Sequence, residues 1–264
     1  MGLSVGQARF VRSTLLGVTR RSGQQNLPVE VTVTTCNARW GHDIDDNPFD
    51  LDRVIERFDS DIICLQELWE PESLKGARQA YAEALGYHVV ELAQAPSYVD
   101  PSPEITADPL EADGTWGIAL LTRLPIQQVR IVDLGRLFER WDVAHRRAIV
   151  ADVEIAETTI SVAVVHCSFV LPNAVAQLRR LSGALPRDRA SIVAGDCNLW
   201  GPAASVALSR HRRSVTGRTW PTHRPHSQLD HIFISPEIDL VEGRIGDPTG
   251  SDHLPVHATL RINQ

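Results

Sequence analysis

The sequence predicts a mixed α/β fold built on large sheets. Short β-branched apolar runs occur along the whole chain, and segments with helical periodicity lie between some of them. The 264 residues and the apolar content of 43% suit a single compact domain. The runs expected to form strands are residues 29–35, 61–65, 117–121, 148–155, 159–165, 191–194, 229–234 and 256–262.

Three helices are expected between these strands. The first has Asp50 as its candidate N-cap and carries apolar residues at helical spacing. The second lies between Pro71 and Gly86, and the third follows Asn173 and stops at Pro186. Strands and helices therefore alternate in part, as a mixed class requires.

Two segments are expected to lie outside this regular structure. Residues 1–28 contain four arginines and no acid, but neither a long apolar stretch nor a small-residue cleavage site, so we expect a helical or flexible N-terminal extension ahead of one domain at 29–264. Residues 95–114 are rich in Pro, Asp and Ser and are expected to form a long surface loop. No apolar run approaches the roughly 18 residues of a membrane span.

The cysteines indicate a reducing compartment. The chain has four, without CxxC spacing, and each lies in or beside an apolar run, which favours buried thiols over a zinc site or disulfides. Because no export signal is present either, we expect a cytoplasmic protein. The sequence indicates no protein partner.

Polar residues able to bind a metal or a phosphate follow several predicted strands. Any one of them could merely bond local backbone, but so many strand ends favour a common site. Side chains alternate between the faces of a strand, so the neighbouring cysteines should face away from that site. The polar residues are Asn37, Glu67, His166, Asp196 and Asp230, and the cysteines are Cys36, Cys64 and Cys197.

Seven segments of distinctive sequence follow one another along the chain. They are Thr34-Thr35-Cys36-Asn37, Asp61-Ile62-Ile63-Cys64-Leu65-Gln66-Glu67, Gly117-Ile118-Ala119-Leu120-Leu121-Thr122-Arg123, Val165-His166, Gly195-Asp196-Cys197-Asn198, Leu229-Asp230-His231-Ile232 and Ser251-Asp252-His253-Leu254-Pro255-Val256. Their order and spacing resemble the endonuclease/exonuclease/phosphatase superfamily from about residue 29 to the C-terminus. The resemblance implies the family's fold, a four-layer sandwich of two packed mixed β-sheets flanked by helices, as in DNase I.

The resemblance also implies hydrolysis of phosphate esters with a divalent metal ion. In-line displacement at phosphorus builds charge on oxygen, which a hard cation and fixed donors stabilise. Mg²⁺, for which Mn²⁺ can substitute, prefers oxygen ligands and keeps several waters. Glu67 is therefore the first candidate ligand, Asn37 is expected beside it through its amide oxygen, and Asp252 contributes to the same ion or to a second one.

By the same resemblance, the remaining residues carry the chemistry. Asp196 is expected to align and deprotonate the attacking water, and Asn198 to orient the phosphate. His253 faces the phosphoryl oxygens with Asp230 fixing its tautomer, and His166 is the second phosphate-binding histidine. Whether Asp196 or His253 takes the proton is left open.

The sequence says less about the substrate. The net charge is -7, and residues 79–122 contain seven acids and no Lys or Arg, which disfavours a long polyanion. A basic stretch at 210–226 is either a solvated face or a lip that attracts phosphate. From it we take His223, Arg224 and neighbouring Trp220 as candidate substrate contacts. We expect a small or lipid-like phosphate ester, with a nuclease as the alternative and a non-catalytic binding protein as the least favoured one.

Overall fold

The computed structural model describes residues 28–96, 114–138, 142 and 144–263. The predicted N-terminal extension and nearly all of the predicted 95–114 loop lie outside the described residues. The described strands are β1 (Val29–Asn37), β2 (Ile62–Pro71), β3 (His88–Pro96), β4 (Gly114–Thr122), β5 (Ile126–Asp133), β6 (Arg147–Ile155), β7 (Thr158–His166), β8 (Ser191–Asp196), β9 (Arg212–Arg213), β10 (Asp230–Ile234), β11 (Ile238–Ile245) and β12 (Val256–Ile262). The described α-helices are α1 (Leu51–Phe58), α2 (Ala77–Ala84), α3 (Leu171–Ala184) and α4 (Gly201–Ala207).

The strands form two six-stranded mixed sheets. The first has the order β11-β12-β1-β2-β4-β3, and the second has the order β5-β6-β7-β8-β10-β9. Each sheet has one parallel pair at its centre, β1 with β2 and β7 with β8, and antiparallel pairs elsewhere. The two parallel pairs bring four strand ends to the same region of the molecule.

Apolar side chains from both sheets pack against each other between them. This central cluster includes Val33 and Ile118 from the first sheet and Ile149 and Ile192 from the second, all at most 1% exposed. Separate apolar clusters lie on the outer faces of the sheets. There α1 and α2 pack against the first sheet, and α3 and α4 pack against the second. The four-layer sandwich implied by the resemblance is confirmed.

All eight predicted strand runs form strands, and the three predicted helical segments contain helices. Asp50 caps α1 as expected, since its side chain accepts a hydrogen bond from the Arg53 amide. In contrast, α3 begins at Leu171, and Asn173 is a buried helical residue rather than its cap. No helix in the described part of the chain is long and apolar enough to cross a membrane.

The expected orientation of Cys64 is wrong. Cys64 packs into the cluster between the sheets, whereas Ile63 and Leu65 face the outer helices. Strand β2 is irregular between Leu65 and Leu68, and Glu67 there has a φ of 50°. This bulge reverses the alternation, so Glu67 does not share a face with Ile63 and Leu65. Cys36 and Cys197 do pack outward, as predicted.

Candidate active site

The site forms where central strands of both sheets meet. In the second sheet, Asp196 is paired with His166 across the parallel strands and with Asp230 across the antiparallel ones. Gly195 allows this close pairing, because a Cβ there would collide with the Val165 carbonyl and its φ is 150°. From the first sheet, β1 contributes Asn37 at its end. The polar strand ends predicted from the sequence therefore do converge.

Glu67 reaches the site because of the bulge in β2. A left-handed backbone is unfavourable for a residue with a side chain, and such strain is found mainly where a side chain must be aimed at a site. Its carboxylate accepts a hydrogen bond of 3.0 Å from Asn37 Nδ2. Burial raises the pKa of Glu67, as does the nearby Asp252 carboxylate. Period-2 reasoning does not predict this geometry.

Asn37 links the two sheets. Its Nδ2 donates to Glu67 Oε1 and to Asp196 Oδ2, each at 3.0 Å, while its Oδ1 accepts from the backbone N–H of Arg39 at 3.0 Å. Carboxylates only accept hydrogen bonds, so the amide nitrogen faces them. The amide oxygen accepts the Arg39 N–H with one of its two lone pairs, and metal binding through this oxygen stays a prediction.

Asp196 is almost completely buried at the centre of the site. Burial and the neighbouring Asp230 charge raise the pKa of Asp196 to about 7, although the Asn198 amide N–H stabilises the ionised form with a bond of 2.8 Å to Oδ1. A carboxyl group with a pKa in this range is suited to accept a proton near neutral pH.

Asn198 follows Asp196 but does not continue the strand. Strand β8 ends at Asp196, and Asn198 has a φ of 48°. Its position therefore comes from a left-handed turn rather than from an extended strand end. One amide N–H donates to the Cys167 carbonyl at 3.0 Å, and the residue lines the cavity described below.

His253 and Asp230 form a buried pair. Nδ1 of His253 lies 2.8 Å from Asp230 Oδ2, and its Nε2 lies 4.0 Å from Asp196 Oδ2. Burial lowers the pKa of His253, but the charge and hydrogen bond of Asp230, followed by the charge of Asp196, outweigh it and raise that pKa to about 10. His253 is therefore a cation at neutral pH, held by the carboxylate that the resemblance assigns to it.

His166 has the opposite charge state. Burial and the positive charges of Arg146 and His253 hold the pKa of His166 well below its ordinary value, so the ring is neutral. Its Nε2 lies 3.5 Å from Glu67 Oε1 and 3.8 Å from Asp196 Oδ2. A neutral imidazole in this position can bind a metal ion or donate one hydrogen bond.

Arg146 also lies at the site, although no pattern in the sequence indicates it. It is buried, it pairs with the equally buried Asp142 at 3.2 Å, and its guanidinium lies 5.2 Å from the centre of the Trp116 ring. Its Nη1 has no hydrogen-bond partner among the residues that the structure describes. A buried, unpaired guanidinium N–H is costly, and a bound anion would satisfy it.

These side chains line a cavity of about 160 Å³. Its polar wall carries the carboxylates, the two histidines and Arg146, and its remaining walls are aromatic. Opposite charges and apolar surface at close range are typical of sites that bind a small charged ligand. The lining residues are Trp40, Glu67, Trp116, Arg146, His166, Phe169, Asp196, Asn198 and His253.

The other predicted site residues lie beside this cavity. Asp252 accepts a 3.0 Å hydrogen bond from the Trp220 indole N–H and lies 4.0 Å from Arg39 Nε. Trp220 is half-buried, with its ring 6.4 Å from that of His253, so it packs against the His253–Asp230 pair. His223 and Arg224 are exposed on the same loop. None of these four residues lines the cavity.

Much of the basic stretch at 210–226 is engaged elsewhere. Arg210 donates to the carbonyls of Ser182 and Pro186, and Arg212 donates to that of Ile238. Arg210 also lines a separate hollow beside Ser191, at the start of β8. Asp196 is at the other end of that strand, so these arginines do not form a lip at the cavity.

A family model for the endonuclease/exonuclease/phosphatase family matches residues 34–253. The chain belongs to this family. The match begins just before Asn37 and ends at His253, so it contains all the residues that line the cavity. Members of the family hydrolyse phosphate esters, and this chain is a hydrolase of that class.

Solved structures with the same fold include several proteins of this family. An endonuclease/exonuclease/phosphatase from Beutenbergia cavernae has a TM-score of 0.70 at 21% identity, and the match covers 89% of this chain and 72% of the Beutenbergia chain. ANGEL2, a 2',3'-cyclic phosphatase, has a TM-score of 0.68 at 16% identity, covering 90% and 96%. A mannosyl-6-phosphatase from Bacteroides thetaiotaomicron has a TM-score of 0.64 at 16% identity, covering 87% and 99%. No curated protein matches the chain by sequence.

Family members generally use a divalent metal, and the donor atoms in this chain fit one. Ligand atoms of Glu67, His166 and Asp196 lie within 4.8 Å of one another, as do those of Asp196, Asp230 and His253. The first group suits a cation better, because its histidine is neutral whereas His253 is protonated and already bonded to Asp230. Asp252 belongs to neither group.

Proposed function

We propose that this chain is a Mg²⁺-dependent phosphoesterase that hydrolyses a small or lipid-like phosphate ester. The observation that carries the proposal is the arrangement of two groups 4.0 Å apart: Asp196, a buried carboxyl whose pKa of about 7 lets it accept a proton near neutral pH, and His253, an imidazolium held by Asp230. Separated acid and base groups of this kind are what hydrolysis at phosphorus needs.

Glu67 and the neutral ring of His166 would hold the metal ion, with Asn37 and Asp252 in supporting positions. A bound divalent cation supplies Lewis-acid stabilisation of the charge that builds on the phosphoryl oxygens. Oxygen donors favour Mg²⁺, and the histidine makes Mn²⁺ an acceptable substitute. The structural test is calorimetric titration of either ion, where no binding to the folded chain would contradict this assignment.

The chain's own residues then have distinct tasks. Asp196 takes a proton from the water as the water oxygen attacks phosphorus, and the leaving oxygen departs with the electron pair of the broken bond and takes a proton from solvent. The His253 imidazolium donates to a non-bridging oxygen, and the unpaired Nη1 of Arg146 faces the same developing charge. Asn198 orients the phosphate with the amide N–H that is not bonded to Cys167.

The size and walls of the cavity support a small substrate. A volume of about 160 Å³ holds a phosphate group with part of its ester, and the aromatic walls of Trp40, Trp116 and Phe169 favour an apolar substituent. The mannosyl-6-phosphatase among the structural neighbours acts, by its name, on a sugar phosphate, which agrees with this proposal.

The experiment is a substrate panel with Mg²⁺ and with chelator. We expect chelator-sensitive hydrolysis of an activated phosphodiester or monoester, and then of one class among sugar phosphates, nucleotides, phospholipids and nucleic acids. Asp196→Asn should lower kcat by about a hundredfold or more, while the exposed Asp239→Asn serves as the control. Turnover of nucleic acid alone would assign a nuclease, and no metal-dependent turnover would overturn the proposal.

A further inference from the structure

Four large apolar side chains stand exposed on the segments that follow β5, β7 and β8, and one of them, Phe169, also lines the cavity. Leu137, Phe169, Leu171 and Trp200, here called the apolar rim, are 55 to 69% exposed. Scattered exposed apolar residues need no explanation, but a group around a binding site marks an interaction surface. The rim is therefore a candidate binding surface.

The rim is continuous with the catalytic cavity. Phe169 lines the cavity together with Asp196 and Asn198, and Leu171 follows it at the start of α3. Trp200 lies two residues after Asn198, whose side chain is bonded to the Cys167 carbonyl. The segments after β7 and β8 are thus held side by side.

Leu137 is held in place by buried amide side chains of α3. Asn173 Oδ1 accepts the backbone N–H of Leu137 at 2.9 Å, and Gln177 bonds both the Ser168 N–H and the Gly135 carbonyl. Asn173 and Gln177 are fully buried. The loop after β5 and the segment after β7 are therefore both hydrogen-bonded to α3. This arrangement pre-organises the rim for binding.

We propose that the rim binds the apolar chain of an amphiphilic phosphate ester while its phosphate enters the cavity. This inference rests on the proposed function and narrows its substrate class. Phe169 belongs to both surfaces, so one molecule can occupy them together. A protein partner seated on the rim would cover the mouth and block substrate, which makes the substrate's own alkyl chain the compatible occupant.

The test compares soluble alkyl phosphates and p-nitrophenyl alkyl phosphates with methyl, butyl and octyl chains, all below their aggregation limit and with Mg²⁺. Full burial of a methylene favours binding about fourfold, so half-burial on an open rim gives about twofold for each. Butyl and octyl differ by four methylenes, so we expect kcat/KM to rise about sixteenfold from butyl to octyl.

The variants are Leu171→Ser and Trp200→Ser, singly and together. The double variant should bring the octyl-to-butyl ratio of kcat/KM close to one. Val241→Ser, which removes an exposed apolar side chain from β11 in the other sheet, should keep the ratio of the unchanged protein. Circular dichroism confirms that each variant is folded.

The outcomes separate the two proposals. Two results would overturn the rim assignment alone, provided that the methyl ester is hydrolysed with metal. One is a kcat/KM that does not change with chain length, and the other is a chain-length dependence that the double variant retains. Absence of turnover on every ester overturns the proposed function and this inference with it. Concentration-dependent dimers that dissociate in Trp200→Ser would assign the rim to contact between copies of the chain, and would also overturn it.

Discussion

Replacing Asp230 with asparagine tests the electrostatic core of the site. The rise in the pKa of His253 from 6.5 to about 10 corresponds to about 5 kcal/mol in favour of the imidazolium. Asparagine keeps the size of the side chain but removes the largest of the charges that oppose the effect of burial. We therefore expect the pKa of His253 to return to about 6.5 or below, which leaves roughly 3% imidazolium at pH 8.

The assay measures kcat with Mg²⁺ on an activated aryl phosphate over a range of pH. Each reaction is quenched and brought to one fixed pH before the absorbance of the phenolate is measured. At pH 8, Asp230→Asn should be about thirtyfold slower than the unchanged protein, and much of this loss should be recovered near pH 6. Because the Asp230 charge also raises the pKa of Asp196, the acidic limb should move down as well.

The position of the basic limb decides the outcome. A basic limb that stays near pH 10 in Asp230→Asn would refute the reasoning, because another group would then set the charge of His253. His253→Gln should lack this limb, and Asp239→Asn, an exposed carboxylate variant, should reproduce the original profile.

Three further predictions concern single residues. Arg146→Gln should lower kcat/KM by about tenfold to a hundredfold while leaving metal affinity within about twofold, as measured by kinetics and calorimetry, since a buried hydrogen bond to a charged group contributes about 1.5 to 3 kcal/mol; equal loss of both would make it structural. Glu67→Gln should weaken Mg²⁺ binding at least about tenfold, and unchanged calorimetric affinity would remove Glu67 from the metal site. Burial lowers the pKa of His231 to about 4, so the folded chain binds fewer protons than the unfolded chain below pH 6.5. Its contribution, up to about 3 kcal/mol, is present above pH 6.5 and lost as the pH falls through about 4, and His231→Gln should flatten urea-derived stability over that range.

The sequence predicted the central strands because their inward side chains are apolar and β-branched. It missed β3, β5, β9 and β11, which lie at or beside sheet edges. In an edge strand one face is exposed to solvent, so fewer of its residues are apolar. In β5, for example, only Ile126, Arg130 and Val132 are even partly buried. Edge strands carry a weaker hydrophobic signal than central ones.

The sequence indicates the position of a side chain that lies at the end of a regular strand. It does not indicate the position of one that depends on a bend in the backbone. Asp196 and His166 could be placed by strand position, but the direction of Glu67 depends on a bulge that no alternation rule anticipates. Arg146 precedes β6 beside Arg147, which donates to the Ala93 carbonyl at the surface. Two adjacent arginines give no sign of which one is buried, because that depends on Asp142 and Trp116.

The bridge made by Asn37 has a practical consequence for finding the substrate. The site takes Asn37 and Glu67 from one sheet and Asp196, His166 and Asp230 from the other, so a ligand that contacts both groups fastens the two layers together. Such a ligand raises the free energy of unfolding by about 2.7 kcal/mol at a hundred times its Kd. A library of phosphate esters can therefore be ranked by melting temperature, in Asp196→Asn as well as in the active chain, without any turnover being detected.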